Sequence, residues 1–348
     1  MKIGIIGAGI AGLTAGRVLA RAGHDVMVYE KSKGYGGRMS TRRANGSAGS
    51  SKHKMDHGTP YLSGSSPEFQ AFLAELEEKK IITKWNDTFS GYADGSIVLE
   101  VPGQETKTRY IASDGMNTIG KYLGRWLDFH MGEQIGGITH IGGSRIKKSP
   151  WMINASTINV FEADAVIIAT PAIQAYGLIG TAQDELEMRR LISMLDDINY
   201  TSTFSFMAGY GERDPVKWSA IISEHPVISW ICNESSKRDT AGELNLVAHT
   251  SDAFTKKIFD DYDRAQVNEQ IMAALGEILG AWAARPQWHT SHLWRYKTPK
   301  KSLDMPFFES EDEHAPLAVI GDYFQGTSLE AAYLSGLRLG EHWAEKLS

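Results

Sequence analysis

The hexapeptide GAGIAG at residues 7–12 constrains the fold of this chain more than any other feature. It follows an apolar run, 2–6, of the kind that forms a buried parallel strand. It opens a stretch from Gly12 to Ala22 that reads as a helix, with Leu13, Val18 and Leu19 available for one face. A second apolar run from Asp25 to Tyr29 then ends at Glu30, completing a β-α-β unit of about thirty residues. In such a unit Gly7 permits the tight turn, Gly9 lets the backbone approach a pyrophosphate, and Gly12 allows close helix-strand packing. The helix start, with Ile10 and Ala11, faces the phosphates. Glu30 stands eighteen residues beyond Gly12, where a carboxylate hydrogen-bonds an adenosine ribose and disfavours a 2'-phosphate. A dinucleotide is predicted, but this turn alone does not say which.

Composition removes several classes. A chain of 348 residues with 42% apolar and 22% charged residues suits a globular protein of one large domain or two interleaved ones. A net charge of -6 argues against a general nucleic-acid binder. Cys232 is the single cysteine, which excludes an intramolecular disulfide, a CxxC pair and a cysteine-rich zinc site. His53 with His57, and His289 with His292, lack a third ligand, so no metal is expected. The turn glycines interrupt what would be the core of a signal peptide, the first strand begins at about Lys2, and no later run approaches the roughly 18 apolar residues of a membrane span. A cytoplasmic protein without leader or membrane contact is expected.

Further along, 42–54 is polar and rich in Gly and Ser and reads as an exposed, mobile loop. Helices are expected over 67–80, 116–126 and 261–279, a central strand over 163–170, and a β-rich region over 199–249. Three segments then bear on the choice between NAD and FAD. KGYGGRMSTRR offers Gly36 and Gly37 for backbone approach to phosphate and Arg38 as a guanidinium. GDYFQGTSLEAAYLSG puts Asp322 at a strand tip, suited to a hydroxylated linker, and starts a helix near Thr327 or Ser328, suited to an electron-rich flavin edge. With the opening turn, these suit three parts of one elongated ligand and favour FAD.

GAGIAG, GGRMSTRR, MDHGTPYL, RYIASDGMN, HLWRYKTP and GDYFQGTSLEAAYLSG, in this order, resemble the renalase-type branch of the flavin-containing amine oxidase superfamily over nearly the whole chain. The resemblance implies an α/β protein: a glutathione-reductase-like, Rossmann-type FAD-binding domain with an interleaved α+β substrate domain on a mostly antiparallel sheet. The FAD domain is expected to comprise 1–66, 111–178 and 293–348, and the substrate domain 67–110 and 179–292. Glu30, Arg38 and Asp322 fall on FAD-contacting positions, Ile138 falls where the backbone meets the adenine, and Asp56 and His57 fall where the chain approaches the flavin. The expected cofactor contacts also take in Lys31, Met39, Gly58, Thr170 and Gly321, with Ser328, Leu329 and Glu330 at the last helix. The chain departs from the family pattern at Asp114, where a proline is common, at Lys297, where a small residue is usual, and in the GSAGSSKHK insertion.

Flavin oxidation asks little of side chains beyond aromatic walls and a few polar groups. Trp294 and Tyr296 share a face if their strand alternates regularly, with Arg295 pointing away. Core packing and pocket lining both remain open for the two aromatics. Trp230, Asn233 and His249 are further candidates, with Lys237 and Arg238 available for a phosphate. The resemblance implies an FAD-dependent oxidase taking hydride from a dihydronicotinamide isomer of NAD(P)H, giving NAD(P)+ and hydrogen peroxide with dioxygen as acceptor. An amine oxidase or desaturase of a small metabolite, and a non-catalytic FAD-stabilised binding protein, are the alternatives.

Overall fold

The computed structural model describes all residues except 45–52, 87, 100, 102–105, 142–148, 183–185, 241, 313 and 348. Its first element is the strand Lys2–Ile6, which pairs in parallel with Asp25–Glu30 on one side and Ala165–Ile168 on the other. The helix between the first two strands runs Ile10–Arg21, starting two residues before the expected point. Asp128–Met131 and Leu317–Val319 extend the sheet in parallel, and Phe308–Glu309 closes one edge antiparallel.

The unbroken apolar runs follow from burial on both faces of this sheet. Ile3, Ile5, Ala165, Ile167 and Ala318 point into one core beneath the helices Ile10–Arg21, Pro67–Glu78, Asn117–Leu123 and Leu329–Lys346. Ile6, Val166, Ile168, Leu317 and Val319 point into a second core. There they meet the three-stranded antiparallel sheet Ile135–His140, Trp151–Ala155 and Val160–Ala163 and the helix Ala172–Ile179. Each fully buried Ile or Leu contributes about 1.5–3 kcal/mol.

A seven-stranded sheet forms the other half of the molecule, in the order Trp288–Pro299, Tyr200–Glu212, Glu243–Thr250, Ile228–Asn233, Ala220–Ser223, Ser90–Ala93, Ser96–Val98. All its pairings are antiparallel except the one between Ala220–Ser223 and Ser90–Ala93. Period-two alternation sends Phe204, Phe206, Ala208 and Tyr210 to a third core under the helix Arg264–Leu279. That helix starts at 264 because the Asp263 side chain caps it, accepting from the backbone N–H groups of Ala265 and Gln266. The α/β class, Rossmann-type domain and largely antiparallel second sheet are thus present.

Two of the expected domain breaks run through secondary-structure elements. The break at 292/293 cuts the strand Trp288–Pro299, which is paired along its length with Tyr200–Glu212. The break at 178/179 cuts the helix Ala172–Ile179. The helix Pro67–Glu78, expected on the substrate side, buries Phe69, Phe72, Leu73 and Leu76 in the same core as Ile3 and Leu13. The centre of the loop expected over 42–54 lies outside the described residues. Its flanks Thr41–Ala44 and His53–Asp56 form an antiparallel pair, a correction to the reading of the whole stretch as loop.

Candidate functional site

The turn at 7–12 is built by sterics. Gly7 has φ of 111°, and a Cβ there would lie 2.7 Å from the Ala169 carbonyl oxygen; one on Gly12 would lie 2.3 Å from the Gly7 carbonyl oxygen. Gly9 differs, because nothing lies within 4 Å of where its Cβ would be. The helix that Gly9 caps has no side-chain cap and no acid in its first turn, so its leading N–H groups are open to an anion. Glu30 accepts from Ala8 N at 2.9 Å and Ser32 N at 2.7 Å, and each oxygen keeps a second lone pair for a hydroxyl. Lys31, next in the chain, is exposed and does not line the site.

The glycine pair closes on this turn. Gly36 N donates to Ala8 O at 2.9 Å, and Gly37, with φ of 55°, would carry its Cβ 3.2 Å from Gly9 Cα. Arg38 then reaches across to Asp322, donating to both carboxylate oxygens at 2.6 and 2.8 Å, and also to Lys297 O at 3.0 Å. Two residues expected to contact different parts of a ligand are therefore partners of each other. Gly58 is obligatory beside them, since a Cβ there would meet the Arg38 carbonyl oxygen at 1.9 Å. At the other end of the site Ser328 caps the last helix, accepting from Ala331 N at 3.1 Å.

A cavity of about 490 Å³ opens between these segments and the seven-stranded sheet. Gly9, Ile10, Ala11, Arg38, Met39, Gly58, Thr170, Gly321, Asp322, Ser328 and Leu329 form its nucleotide-side wall. Thr203, Ser229, Trp230, His249, Trp294 and Lys297 form the opposite one. Trp294 is fixed by its indole N–H, which donates to His57 O at 2.8 Å, and by ring contacts with His57 and His292 at 5.4 and 4.6 Å between centroids. Burial, with His292 and Arg42 nearby, pushes the His57 imidazole down to about 4. Burial, then the charge of Lys297, holds His249 well below the ordinary histidine range. Lys297 is itself lowered by burial against a small opposing pull from Asp252.

Three buried polar atoms on cavity-lining residues, Thr170 Oγ1, Trp230 Nε1 and His249 Nε2, have no hydrogen-bond partner among the described residues. Such atoms call for a ligand or solvent partner. The open helix start, the cleared space at Gly9 and Thr170 Oγ1 on the nucleotide-side wall fit FAD: the adenosine diphosphate half would rest on the turn and Glu30, and the flavin half between Arg38–Asp322, the last helix and Trp294.

Other candidates lie away from the cavity. Tyr296 packs in the second core, 5.6 Å from Tyr200, because the strand pairing slips between Thr203↔Trp294 and Thr201↔Thr298. Two extra residues bulge out there and break the alternation, so Lys297 faces the cavity instead. Arg295 lies over the ring of Phe259. Asn233 serves its own turn, accepting from Ser235 N at 3.1 Å and donating to Trp218 O. Ile138 is fully buried, and its N–H donates to Thr181 Oγ1 at 2.8 Å. Glu330 turns outward to accept from Ser65 N and Ser66 N.

Asp56 is buried behind the site in a four-charge cluster. It takes Arg238 at 2.5 Å and Lys237 at 3.5 Å, while Glu234 takes Lys237 at 2.6 Å and Arg238 at 3.1 Å. Lys237 and Arg238 therefore neutralise carboxylates rather than face a phosphate. Sequence reasoning missed Tyr61, Thr203 and Ser229, which line the cavity. Tyr61 stands inside MDHGTPYL and was within reach of that motif; the two hydroxyl residues carry no local signal. Among the described residues no group of three His, Cys, Asp or Glu is placed to hold a metal, and no helix is long and apolar enough to cross a membrane.

Comparison with known proteins agrees with this geometry. A family model described as an NAD(P)-binding Rossmann-like domain matches residues 5–76, and one described as flavin containing amine oxidoreductase matches residues 67–339. A 4,4'-diapophytoene desaturase from Staphylococcus aureus (strain Newman) is 46% identical over 46 residues, which is 13% of this chain and 9% of the desaturase. Wild-type putrescine oxidase bound to putrescine superimposes with a TM-score of 0.69 at 13% identity, covering 100% of this chain and 99% of that one. Cyclohexylamine oxidase from Brevibacterium oxydans gives 0.72 at 12% identity, with 99% of each chain covered. These two solved structures share the fold. On the family match over residues 67–339, the chain belongs to the flavin containing amine oxidoreductases.

Proposed function

We propose that the protein is an FAD-dependent oxidase of the renalase-type branch, taking hydride from a neutral dihydronicotinamide, such as a 2- or 6-dihydro isomer of NAD(P). The observation that carries this reading is the charge of the cavity wall. Asp322 is the only acid among the described lining residues, and Arg38 occupies both its oxygens. A protonated amine would meet Lys297 with no free carboxylate to offset it. A neutral ring meets no such penalty.

When bound, FAD supplies two-electron acceptance, with dioxygen taking the electrons on to hydrogen peroxide. The chain's own residues position and exclude. Trp294, locked by the His57 carbonyl, offers a flat face to a ring. His57 and His249 stay neutral at pH 7, so no strong base is provided, and none is needed where aromatisation of the substrate drives the transfer.

Anaerobic mixing of the flavin-loaded protein with isomeric dihydronicotinamides and with amines tests the proposal. Flavin bleaching by the dihydronicotinamides is expected. Bleaching by amines alone would establish the amine oxidase reading instead, and flavin that no reductant reduces faster than free FAD would establish a binding protein.

A further inference from the structure

The strand Ile228–Asn233 sets Trp230 directly opposite His249 on the strand Glu243–Thr250. Opposed residues of a sheet project from the same face with Cβ atoms about 5 Å apart, and both of these side chains line the cavity. Each carries a buried nitrogen, Trp230 Nε1 and His249 Nε2, with no hydrogen-bond partner among the described residues. His249 is only 4% exposed. The neighbouring hydroxyls are already committed: Thr203 Oγ1 donates to Thr250 O at 2.8 Å, and Ser229 Oγ donates to the same oxygen at 3.2 Å. The indole plane is set by edge contact with Phe89 at 4.8 Å. Two adjacent unpartnered nitrogens on a cavity wall mark a place where a ligand supplies the partners.

Their chemistry narrows that ligand. An indole N–H can only donate, whereas a neutral imidazole nitrogen can accept. We propose that Trp230 and His249 form a clamp for a planar carboxamide, the indole N–H donating to its carbonyl oxygen and His249 Nε2 accepting from its NH2 group. A carboxylate would bring a second acceptor to His249, and an ammonium would bring only donors to the indole. The inference rests on the dihydronicotinamide reading and names the group by which the ring is recognised.

The experiment uses the FAD-loaded protein and three oxidised ring probes of equal ring charge: N-methylnicotinamide, N-methyl-3-acetylpyridinium and N-methylnicotinate. Binding is read from the perturbed flavin absorbance and from the ¹⁵N indole resonance of Trp230. The carboxamide is expected to bind about tenfold tighter than the acetyl probe, as one added hydrogen bond gives, with the carboxylate weakest. Trp230→Phe should weaken the carboxamide and acetyl probes about equally, and His249→Phe the carboxamide alone. Equal binding of all three probes to the wild type, or an unmoved Trp230 resonance, would overturn the clamp even if the variants fail to fold. A graded series without bleaching by any dihydronicotinamide would leave the clamp standing and overturn the proposed reaction; bleaching with a flat series does the reverse.

Discussion

Arg38 and Asp322 stand 284 positions apart and meet through two hydrogen bonds at the edge of the cavity. The Asp322 side chain is 7% exposed and that of Arg38 29%, so this is a largely buried pair whose disruption leaves a charge poorly solvated. Asp322→Ala is expected to lower stability by about 1–3 kcal/mol and to reduce flavin content, as measured by thermal melting and by the absorbance ratio of flavin to protein. A second residue-scale consequence is pH dependence at His57. Its folded pKa of about 4 lies below the ordinary 6.5, so between those values the unfolded chain binds more protons than the folded one. The stabilisation is complete above pH 6.5 and is lost as pH falls toward 4, on the order of 3 kcal/mol in all. Denaturant titrations of wild type and His57→Gln at pH 7.5 and 4.5 should show a smaller loss in the variant. Both residues were legible as candidates, but their partners were not: Arg38 meets Asp322, and His57 meets His292, only through the fold.

At the scale of elements, the turn glycines and apolar strands were readable because each obeys a local rule. Two-sided burial makes a continuous apolar run, and a nucleotide turn demands its glycines. The slip in the strand Trp288–Pro299 was not readable, since a bulge is set by the partner strand and by contacts such as Ser202 Oγ to Arg295 O at 2.8 Å. Regular alternation would set Tyr296 on the same face as Trp294; the slip instead sends Tyr296 into the second core and Lys297 to the cavity. Close packing of the last helix on the first is a further element-scale feature. A Cβ on Gly336 would lie 2.2 Å from Ala11 O, and one on Gly340 would lie 2.9 Å from Val18 Cβ. Gly336→Ala is expected to push the two helices apart where the first begins to face the phosphates, costing about 1–3 kcal/mol and loosening FAD. Urea unfolding together with a flavin-retention measurement after gel filtration checks both effects.

For the whole molecule, the decisive property is that the cavity is assembled from distant parts of the chain. Arg38 binds Asp322, Trp294 binds His57, Arg238 binds Asp56, and Ser66 binds Glu330. The charge cluster of Asp56, Glu234, Lys237 and Arg238 ties the hairpin before His57 to the seven-stranded sheet, so that sheet and the parallel sheet meet across the same ligand space. A ligand filling that space contacts both halves, and its free energy of binding is linked to unfolding of the entire chain rather than of one lobe. At free FAD of 100 times its dissociation constant the linkage contributes about 2.7 kcal/mol, which raises the melting temperature by about 4 °C for a chain of this size. Flavin release, followed by fluorescence, and loss of secondary structure, followed by far-UV circular dichroism, should then coincide in one transition that moves upward with FAD concentration. Flavin release well below the structural transition, with a melting temperature indifferent to FAD, would show that the two halves separate before they unfold and that the ligand does not bridge them.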